Sequence, residues 1–326
     1  MIVDPASAPR DTAPNGGALV YLSRAGGIIQ FGAYIDRLMP GAVSSQRHWH
    51  SAEDEFAFVL SGHATLIDDD GAHPLAPGDA CCWRHAEPNG HHIRNDSDQA
   101  FSYLIVGSRV SGDVCTYPDA GERQVNTETD WWIEDQEGQH RKGGALPQHL
   151  LNLAPRWGRA FDGIIFPHVI KPDSVPGQSG SGYPGGRGAL GTYIATPLSD
   201  AGGISQFGAF TEVLMPGAQS SHRHWHETED EFLYVLDGTV TVVENDGAHD
   251  LAPGGCACWP RGVPNAHCVQ NRTATPVRYF VTGTRMAEDA CHYPEIDLHY
   301  TRRGGFSAMT HKDGTPYPGW PQETKT

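Results

Sequence analysis

Short apolar runs separated by turn residues recur along the chain. The runs FAFVL at 56–60 and FLYVL at 232–236 are continuously apolar, which is typical of strands buried on both faces. Asp-Asp-Gly ending at Gly71 and Asn-Asp-Gly ending at Gly247 are typical of hairpin turns, in which glycine supplies a positive φ. Many short strands at spacings of about 8 to 12 residues predict a β-sandwich or a β-barrel.

The pattern occurs twice. The first copy contains IQFGAYIDRLMPGAVSSQRHWHSAEDEFAFVLSG from Ile29, and the second contains SQFGAFTEVLMPGAQSSHRHWHETEDEFLYVLDG from Ser205. A constant offset of 176 residues aligns positions 28–119 with 204–295 without a gap, and roughly half of the paired residues are identical. A match of this length predicts two copies of one domain.

The segments outside the repeat define the predicted domain boundaries. We predict an N-terminal barrel at 1–120, a connector at 121–188, a C-terminal barrel at 189–300 and a C-terminal extension at 301–326. The connector contains the glycine-rich linker GQSGSGYPGGRG. Its length predicts that it packs on the domains or covers a site as a lid.

Each copy also contains three histidines and one carboxylate at the same spacing. The pattern is G-x6-H-x-H-x4-E-x6-G, and an H-x3-N sequence follows about 36 residues after the glutamate. The candidate metal ligands are His48, His50, Glu55 and His91 in the first copy, and His224, His226, Glu231 and His267 in the second. Residues two apart on a strand share a face, so both histidines of each H-x-H pair point the same way.

Three imidazoles and one carboxylate suit a divalent transition metal: iron, manganese, nickel, copper or zinc. We therefore predict up to two ions per chain. Four protein ligands on an octahedral ion leave two positions open for water, dioxygen or a bidentate substrate, which is typical of a catalytic site.

The two motifs resemble the signatures of the cupin superfamily, and the duplicated chain resembles a bicupin. The resemblance implies an all-β fold of two tandem double-stranded β-helix (jelly-roll) barrels, each with a metal near its centre. The second motif departs from the family pattern in the first copy, where Arg84 and Ala86 replace Pro260 and Gly262. We therefore expect a different turn before His91.

The resemblance also selects one carboxylate from three consecutive acids. Glu55 and Glu231 fit the family spacing, and we expect the remaining acids, Glu53, Asp54, Glu229 and Asp230, at a solvated turn. Cys115 and Cys291, each in C-x-Y-P, are candidate reactive thiols, although packing in the core is the favoured interpretation.

Bicupins include dioxygenases, oxalate-type decarboxylases and isomerases. The resemblance thus implies a metal-dependent enzyme, and we favour an oxygenase (dioxygenase) acting on a small aromatic or enolic substrate. The alternatives are a redox-neutral decarboxylase, isomerase or lyase, and a non-enzymatic small-molecule-binding bicupin. All eight ligands are present, which favours catalysis. The substrate and the catalytic residues stay open, because cupins share their ligands across unrelated reactions.

The amino-acid composition and net charge disfavour some classes of binding partner. The net charge of −16, from 39 acidic and 23 basic residues, disfavours nucleic acids and membrane surfaces. The N-terminus lacks the pattern of a signal peptide, and no apolar run approaches the roughly 18 residues of a membrane helix. Seven cysteines without a C-x-x-C pair predict reduced thiols in the cytoplasm. Exposed barrel edges predict a homodimer.

Overall fold

The computed structural model of the protein describes residues 1–12, 17–180, 183, 190–318 and 324–325. Most of the glycine-rich linker and the end of the predicted C-terminal extension lie outside these residues. Strands dominate the described part, which confirms the predicted all-β class. Among the described residues, no helix has the length and apolar character needed to cross a lipid bilayer.

The structure describes fifteen strands before residue 146. They are β1 (Ile2–Val3), β2 (Arg10–Thr12), β3 (Ala18–Tyr21), β4 (Phe31–Leu38), β5 (Trp49–His50), β6 (Glu55–Ser61), β7 (Ala64–Asp68), β8 (Gly71–Leu75), β9 (Ala80–Trp83), β10 (His92–Arg94), β11 (Phe101–Ser108), β12 (Val114–Tyr117), β13 (Glu122–Asn126), β14 (Asp130–Asp135) and β15 (His140–Ala145).

The strands that follow have the same order. They are β16 (Val169–Ile170), β17 (Tyr193–Thr196), β18 (Phe207–Leu214), β19 (Trp225–His226), β20 (Glu231–Asp237), β21 (Val240–Glu244), β22 (Gly247–Leu251), β23 (Cys256–Trp259), β24 (Cys268–Gln270), β25 (Val277–Thr284), β26 (Asp289–Tyr293), β27 (Leu298–Arg303), β28 (Phe306–Thr310) and β29 (Thr324–Lys325). The described helices are α1 (Leu22–Ala25) and α2 (Leu198–Ala201), with 3₁₀ turns at Gln148–Leu150 and Pro172–Ser174.

Each barrel is built from three antiparallel sheets. In the first barrel the strand orders are β16-β9-β6-β11-β4-β3-β2, β10-β7-β8 and β15-β14-β13-β12-β5. In the second they are β1-β23-β20-β25-β18-β17, β22-β21-β24 and β19-β26-β27-β28-β29. The matching orders confirm two copies of one fold, and in both copies the second histidine of the H-x-H pair lies in the edge strand of a five-stranded sheet.

The two barrels exchange strands at their sheet edges. β1, at the N-terminus, pairs with β23 of the second barrel, and β16, in the connector, pairs with β9 of the first. Each of these short strands covers a sheet edge that would otherwise present unpaired backbone groups. The segment that precedes each barrel therefore completes the other one.

Strand alternation explains why the central strands are continuously apolar. Phe56 and Phe58 of β6 point into a cluster between the barrels, where both rings lie 5.7 Å from the ring of Phe280. Ala57 and Val59 point into the core of the first barrel. Both faces of β6 are therefore buried, as its sequence predicts.

Two buried aspartates join the barrels. Asp54 accepts hydrogen bonds from the backbone N–H groups of Ser205 and Gln206, both at 2.9 Å, and from that of His85 at 2.8 Å. Both Asp54 and its counterpart Asp230 are 0% exposed. The prediction that these two aspartates lie at a solvated turn is wrong. Both are buried, because each accepts backbone hydrogen bonds from a loop of the other barrel.

The contact is reciprocal. Asp230 accepts from the N–H groups of Ile29 at 2.9 Å and Gln30 at 2.8 Å. The side-chain oxygen of Gln30 in turn accepts from the N–H of Asp230 at 3.0 Å. Gln206 accepts from the N–H of Asp54 at 2.8 Å in the same way. These buried polar groups satisfy one another, so the interface favours one relative orientation of the barrels.

The connector packs on both barrels, as its length predicts. The indole N–H of Trp157 donates to the backbone oxygen of Gln206 at 2.8 Å. Just before β16, the ring of His168 lies between Asp68 and Glu87, at 3.1 Å from each. Burial opposes protonation, but these two carboxylates outweigh it and raise the pKa of His168 to about 9.

We expect Asp54→Ala to lower the free energy of unfolding by at least about 3 kcal/mol, because three buried N–H groups lose a charged acceptor. Urea denaturation of the full chain measures this loss. Asp98→Ala, at an exposed position, is the control and should change stability by less than about 0.5 kcal/mol. A loss of similar size in both variants would contradict the role assigned to Asp54.

Candidate metal centres

Backbone pairing brings the distant histidine of each motif to the H-x-H pair. The N–H of His48 donates to the oxygen of His91 at 3.1 Å, and the N–H of His91 returns a bond of 3.0 Å. His224 and His267 exchange the same two bonds in the second barrel. Residues 43 positions apart in the chain are therefore direct neighbours across a strand pair.

The four candidate ligands of the first barrel converge on one point. Glu55 Oε2 lies 3.0 Å from His91 Nε2, 3.6 Å from His48 Nε2 and 3.7 Å from His50 Nε2. Ligands about 2.1 Å from a shared ion, at angles near those of an octahedron or a tetrahedron, are roughly 3.0 to 3.4 Å apart. The observed separations are close to this range.

The second barrel repeats the arrangement. Glu231 Oε2 lies 2.9 Å from His267 Nε2 and 3.9 Å from the Nε2 atoms of both His224 and His226. This oxygen is buried and receives no aligned hydrogen bond. A buried carboxylate oxygen without a donor is costly, and a cation among these four side chains would satisfy it. The residues present therefore fit a divalent metal ion.

Outer contacts orient the histidines. His50 Nδ1 lies 2.6 Å from Asp113 Oδ2, and His226 Nδ1 lies 2.6 Å from Asp289 Oδ2. His48 Nδ1 lies 2.9 Å from the backbone oxygen of Gln46. Because each Nδ1 is engaged outside the centre, each Nε2 faces the shared point, as in known metal sites.

Sequence reasoning did not single out Asp113 and Asp289. Both aspartates lie in the duplicated region and are separated by the same offset of 176 residues. This repetition was the signal in the sequence that could have identified them. Trp83 was also missed as a site residue: its ring stacks on His91 at 4.0 Å, as Trp259 stacks on His267 at 3.8 Å. These rings hold the distal histidine of each centre in place.

Electrostatics prepare the side chains for a cation. Burial favours the neutral carboxyl, but the surrounding histidines outweigh it and lower the pKa values of Glu55 and Glu231 well below the usual range. Burial lowers the pKa of His91 to about 4 and that of His224 to about 3. At neutral pH each barrel thus offers an ionised carboxylate beside a neutral imidazole, the protonation states that bind metals.

The second histidine of each H-x-H pair has a raised pKa, in contrast to His91 and His224. Burial would lower the pKa of His50, but the charge of Asp113 leads the opposing effects and raises it well above the usual value. The pKa of His226 is raised in the same sense, against its burial, by Glu231, Cys291 and Asp289. Metal binding at these positions would displace a proton and would therefore weaken at acidic pH.

The turn before His91 is the same as its counterpart, contrary to the sequence expectation. Ala86 has φ +64° and Gly262 has φ +71°. The N–H of Ala86 donates to the oxygen of His50 at 2.8 Å, and that of Gly262 donates to the oxygen of His226 at 2.8 Å. The hydrogen bond holds alanine in a left-handed conformation that costs it about 1 kcal/mol or more.

A cavity adjoins the carboxylate of each centre. The first cavity, of about 220 Å³, meets the candidate ligands at Glu55 and is also lined by Tyr34, Glu53, Arg109 and the connector residue Leu150. The connector thus forms part of one wall. Burial, with Asp113 nearby, raises the pKa of Glu53 to about 8.

The second cavity, of about 210 Å³, lies inside the other barrel. Its lining includes the candidate ligands Glu231 and His224 as well as Tyr183, Glu212 and Tyr279. Tyr279 donates a hydrogen bond to Glu212. Burial raises the pKa of Glu212 to about 7, so part of this carboxyl population is protonated at neutral pH.

Replacing Ala86 with glycine should stabilise the protein by about 1 kcal/mol, because glycine adopts a positive φ without a steric penalty. The reverse change at the matching position, Gly262→Ala, should destabilise it by a similar amount. Urea denaturation of both variants checks the pair. Equal shifts of the same sign would contradict the assignment of strain to Ala86.

Metal analysis of the protein reconstituted with a single divalent metal should give about two ions per chain, since each barrel contains a complete ligand set. His48→Ala and His224→Ala should each reduce this number to about one, because a single missing imidazole breaks one centre. His63→Ala, at an exposed position, is the control. If a ligand variant still bound two ions per chain, the assignment of that histidine as a metal ligand would be contradicted.

The cupin domain family model matches the chain twice, at residues 34–107 and 210–283. A Silicibacter pomeroyi protein described as a sugar phosphate isomerase from a cupin superfamily is 39% identical over 46% of this chain and 96% of that chain, with a TM-score of 0.44. No curated protein matches.

Solved bicupin structures cover both halves of the chain. Oxalate decarboxylase from Lactobacillus farciminis is 16% identical over 89% of this chain and 87% of that chain, with a TM-score of 0.55. A variant of the Bacillus subtilis oxalate decarboxylase is 17% identical over 90% and 79%, with a TM-score of 0.53. The chain therefore belongs to the cupin superfamily and contains two cupin domains in tandem.

Proposed function

We propose that the protein is a metal-dependent dioxygenase that acts on a small organic molecule with an enolic or aromatic hydroxyl group. The observation that carries this proposal is the convergence of three imidazoles on one carboxylate in each barrel, with a cavity beside that carboxylate. These side chains would hold the ion, and the cavity beside each carboxylate would admit a small organic substrate and dioxygen.

A bound redox-active ion would supply the electrons and the anchoring point that such chemistry requires. The protein supplies the surroundings. In the first barrel, Glu53 lines the cavity and has a pKa near 8, so it can hold or return a proton from a substrate hydroxyl. Arg109 places a positive charge in the same wall, where it would attract the enolate form of a substrate. Leu150 and its connector neighbours limit water at that wall.

A redox-neutral reaction is the second candidate, and the second cavity favours it. Glu212 lines this cavity together with the ligand Glu231, and its pKa near 7 suits a general acid or base at neutral pH. The hydrogen bond from Tyr279 fixes one carboxyl oxygen. Glu212 would hold or return a proton for a substrate that occupies this cavity.

We expect oxygen consumption when the protein, reconstituted separately with Fe²⁺, Mn²⁺, Ni²⁺ or Cu²⁺, meets a panel of catechols, enols and 1,3-diketones. An oxygen electrode measures uptake, and product analysis checks that both oxygen atoms enter the substrate. His48→Ala and His224→Ala identify the barrel responsible, because loss of a ligand should reduce uptake at that centre to background. His63→Ala should leave uptake unchanged.

Absence of uptake with every metal would overturn the dioxygenase proposal. Substrate loss without oxygen, reduced about 10²- to 10⁴-fold by Glu212→Gln, would support the redox-neutral reaction instead. Saturable binding of panel compounds without turnover under either condition would indicate a binding protein.

A further inference from the structure

A cysteine stands beside the H-x-H pair of each barrel because of strand register. β5 pairs antiparallel with β12, and this register places Cys115 opposite His50. Residues directly opposite each other in a sheet point to the same face. The thiol of Cys115 therefore faces the side occupied by the imidazole of His50, and Cys291 stands opposite His226 in the same way.

The thiols lie within reach of the metal ligands. The ligand atoms of Cys115, His48 and His50 are all within 4.8 Å of one another, and so are those of Cys291, His224 and His226. Cys115 is 4% exposed and Cys291 is 1% exposed. Each thiol is therefore shielded from solvent and directed at a cluster of nitrogen donors.

A tyrosine two residues further along completes this wall. The ring of Tyr117 lies 6.1 Å from the ring of His48, and the ring of Tyr293 lies 5.7 Å from that of His224. Alternation along β12 and β26 puts the cysteine and the tyrosine on the same face. The C-x-Y sequence thus supplies two side chains to each centre. The strand that carries it contains none of the eight candidate ligands predicted from the motifs.

Other cysteines have a different environment. Cys82 and Cys258 belong to the apolar cluster between the barrels, and their sulfur atoms lie 3.9 Å from backbone oxygens. Cys256 belongs to the same cluster, and burial raises its pKa to about 12. These thiols act as small apolar side chains. Cys291 also lies in a small hydrophobic cluster with Tyr293 and Leu298, but its sulfur, like that of Cys115, lies within 4.8 Å of two imidazoles.

We infer that Cys115 and Cys291 each supply a sulfur ligand to the metal ion of their barrel. Each centre then has five protein donors: three imidazole nitrogens, one carboxylate oxygen and one thiolate. The inference rests on the metal centres of the proposed function and is independent of the reaction. On binding, the thiol proton passes to solvent and the sulfur atom forms one bond to the ion.

This ligand set would affect the choice of metal. Thiolate is a soft ligand that favours iron, cobalt, nickel, copper or zinc over manganese and magnesium. A fifth protein donor would also leave fewer positions on the ion for other ligands than four donors leave.

Cobalt substitution tests the inference without any substrate. The full chain is stripped of metal and reconstituted with Co²⁺ as wild type, Cys115→Ser, Cys291→Ser and the double variant, with Cys256→Ser as the control. A sulfur-to-cobalt charge-transfer band in the near ultraviolet is expected for the wild type. Each single variant should lose about half of it and the double variant all of it, whereas the control keeps it.

Cobalt content is measured on the same samples. A double variant that binds two ions and keeps the wild-type spectrum overturns the sulfur ligand and leaves the centres intact. A wild-type chain that binds no cobalt overturns both. If a variant fails to fold, X-ray absorption of the zinc-loaded wild type decides, because sulfur gives a shell at about 2.3 Å and nitrogen or oxygen ligands alone lie at about 2.0 to 2.2 Å.

Discussion

The reciprocal burial of Asp54 and Asp230 in the opposite barrel is the constraint on which the rest of the structure depends. Each aspartate immediately precedes a candidate metal ligand, Glu55 or Glu231, and strand alternation sends the two neighbours in opposite directions. One carboxylate holds the other barrel while the next faces the cavity. The position of each metal centre is thereby tied to the interface between the barrels, and neither barrel can shift without disturbing a ligand.

The two barrels share the same candidate metal ligands but differ in the residues around their cavities. The donor separations of the two centres agree within a few tenths of an ångström. The surrounding residues differ more, since Asp36 of the first barrel occupies the position of Glu212 in the second. In both barrels a tyrosine donates to this carboxyl, at 2.6 Å in the case of Tyr103 and Asp36. Ligand chemistry is therefore shared, and any difference in reactivity between the centres must come from the cavities.

The strand that carries the C-x-Y sequence adds a second source of side chains to each centre. The histidines and the glutamate come from the two recognised motifs, whereas Cys115 and Tyr117 come from β12, more than sixty residues after His48. A sulfur ligand would bring a third segment of the chain to each metal ion.

The sequence by itself determined the two barrels and the eight candidate ligands, because periodicity, turn residues and a gapless repeat are local properties of the chain. It also placed both histidines of each H-x-H pair on one face. Only the tertiary structure decided that Asp54 crosses to the other barrel, that Ala86 adopts the turn of Gly262, and that Cys115 stands opposite His50. These three features depend on pairing and packing between segments that are distant in the chain. The local sequence pattern does not specify which distant residues pair with each other.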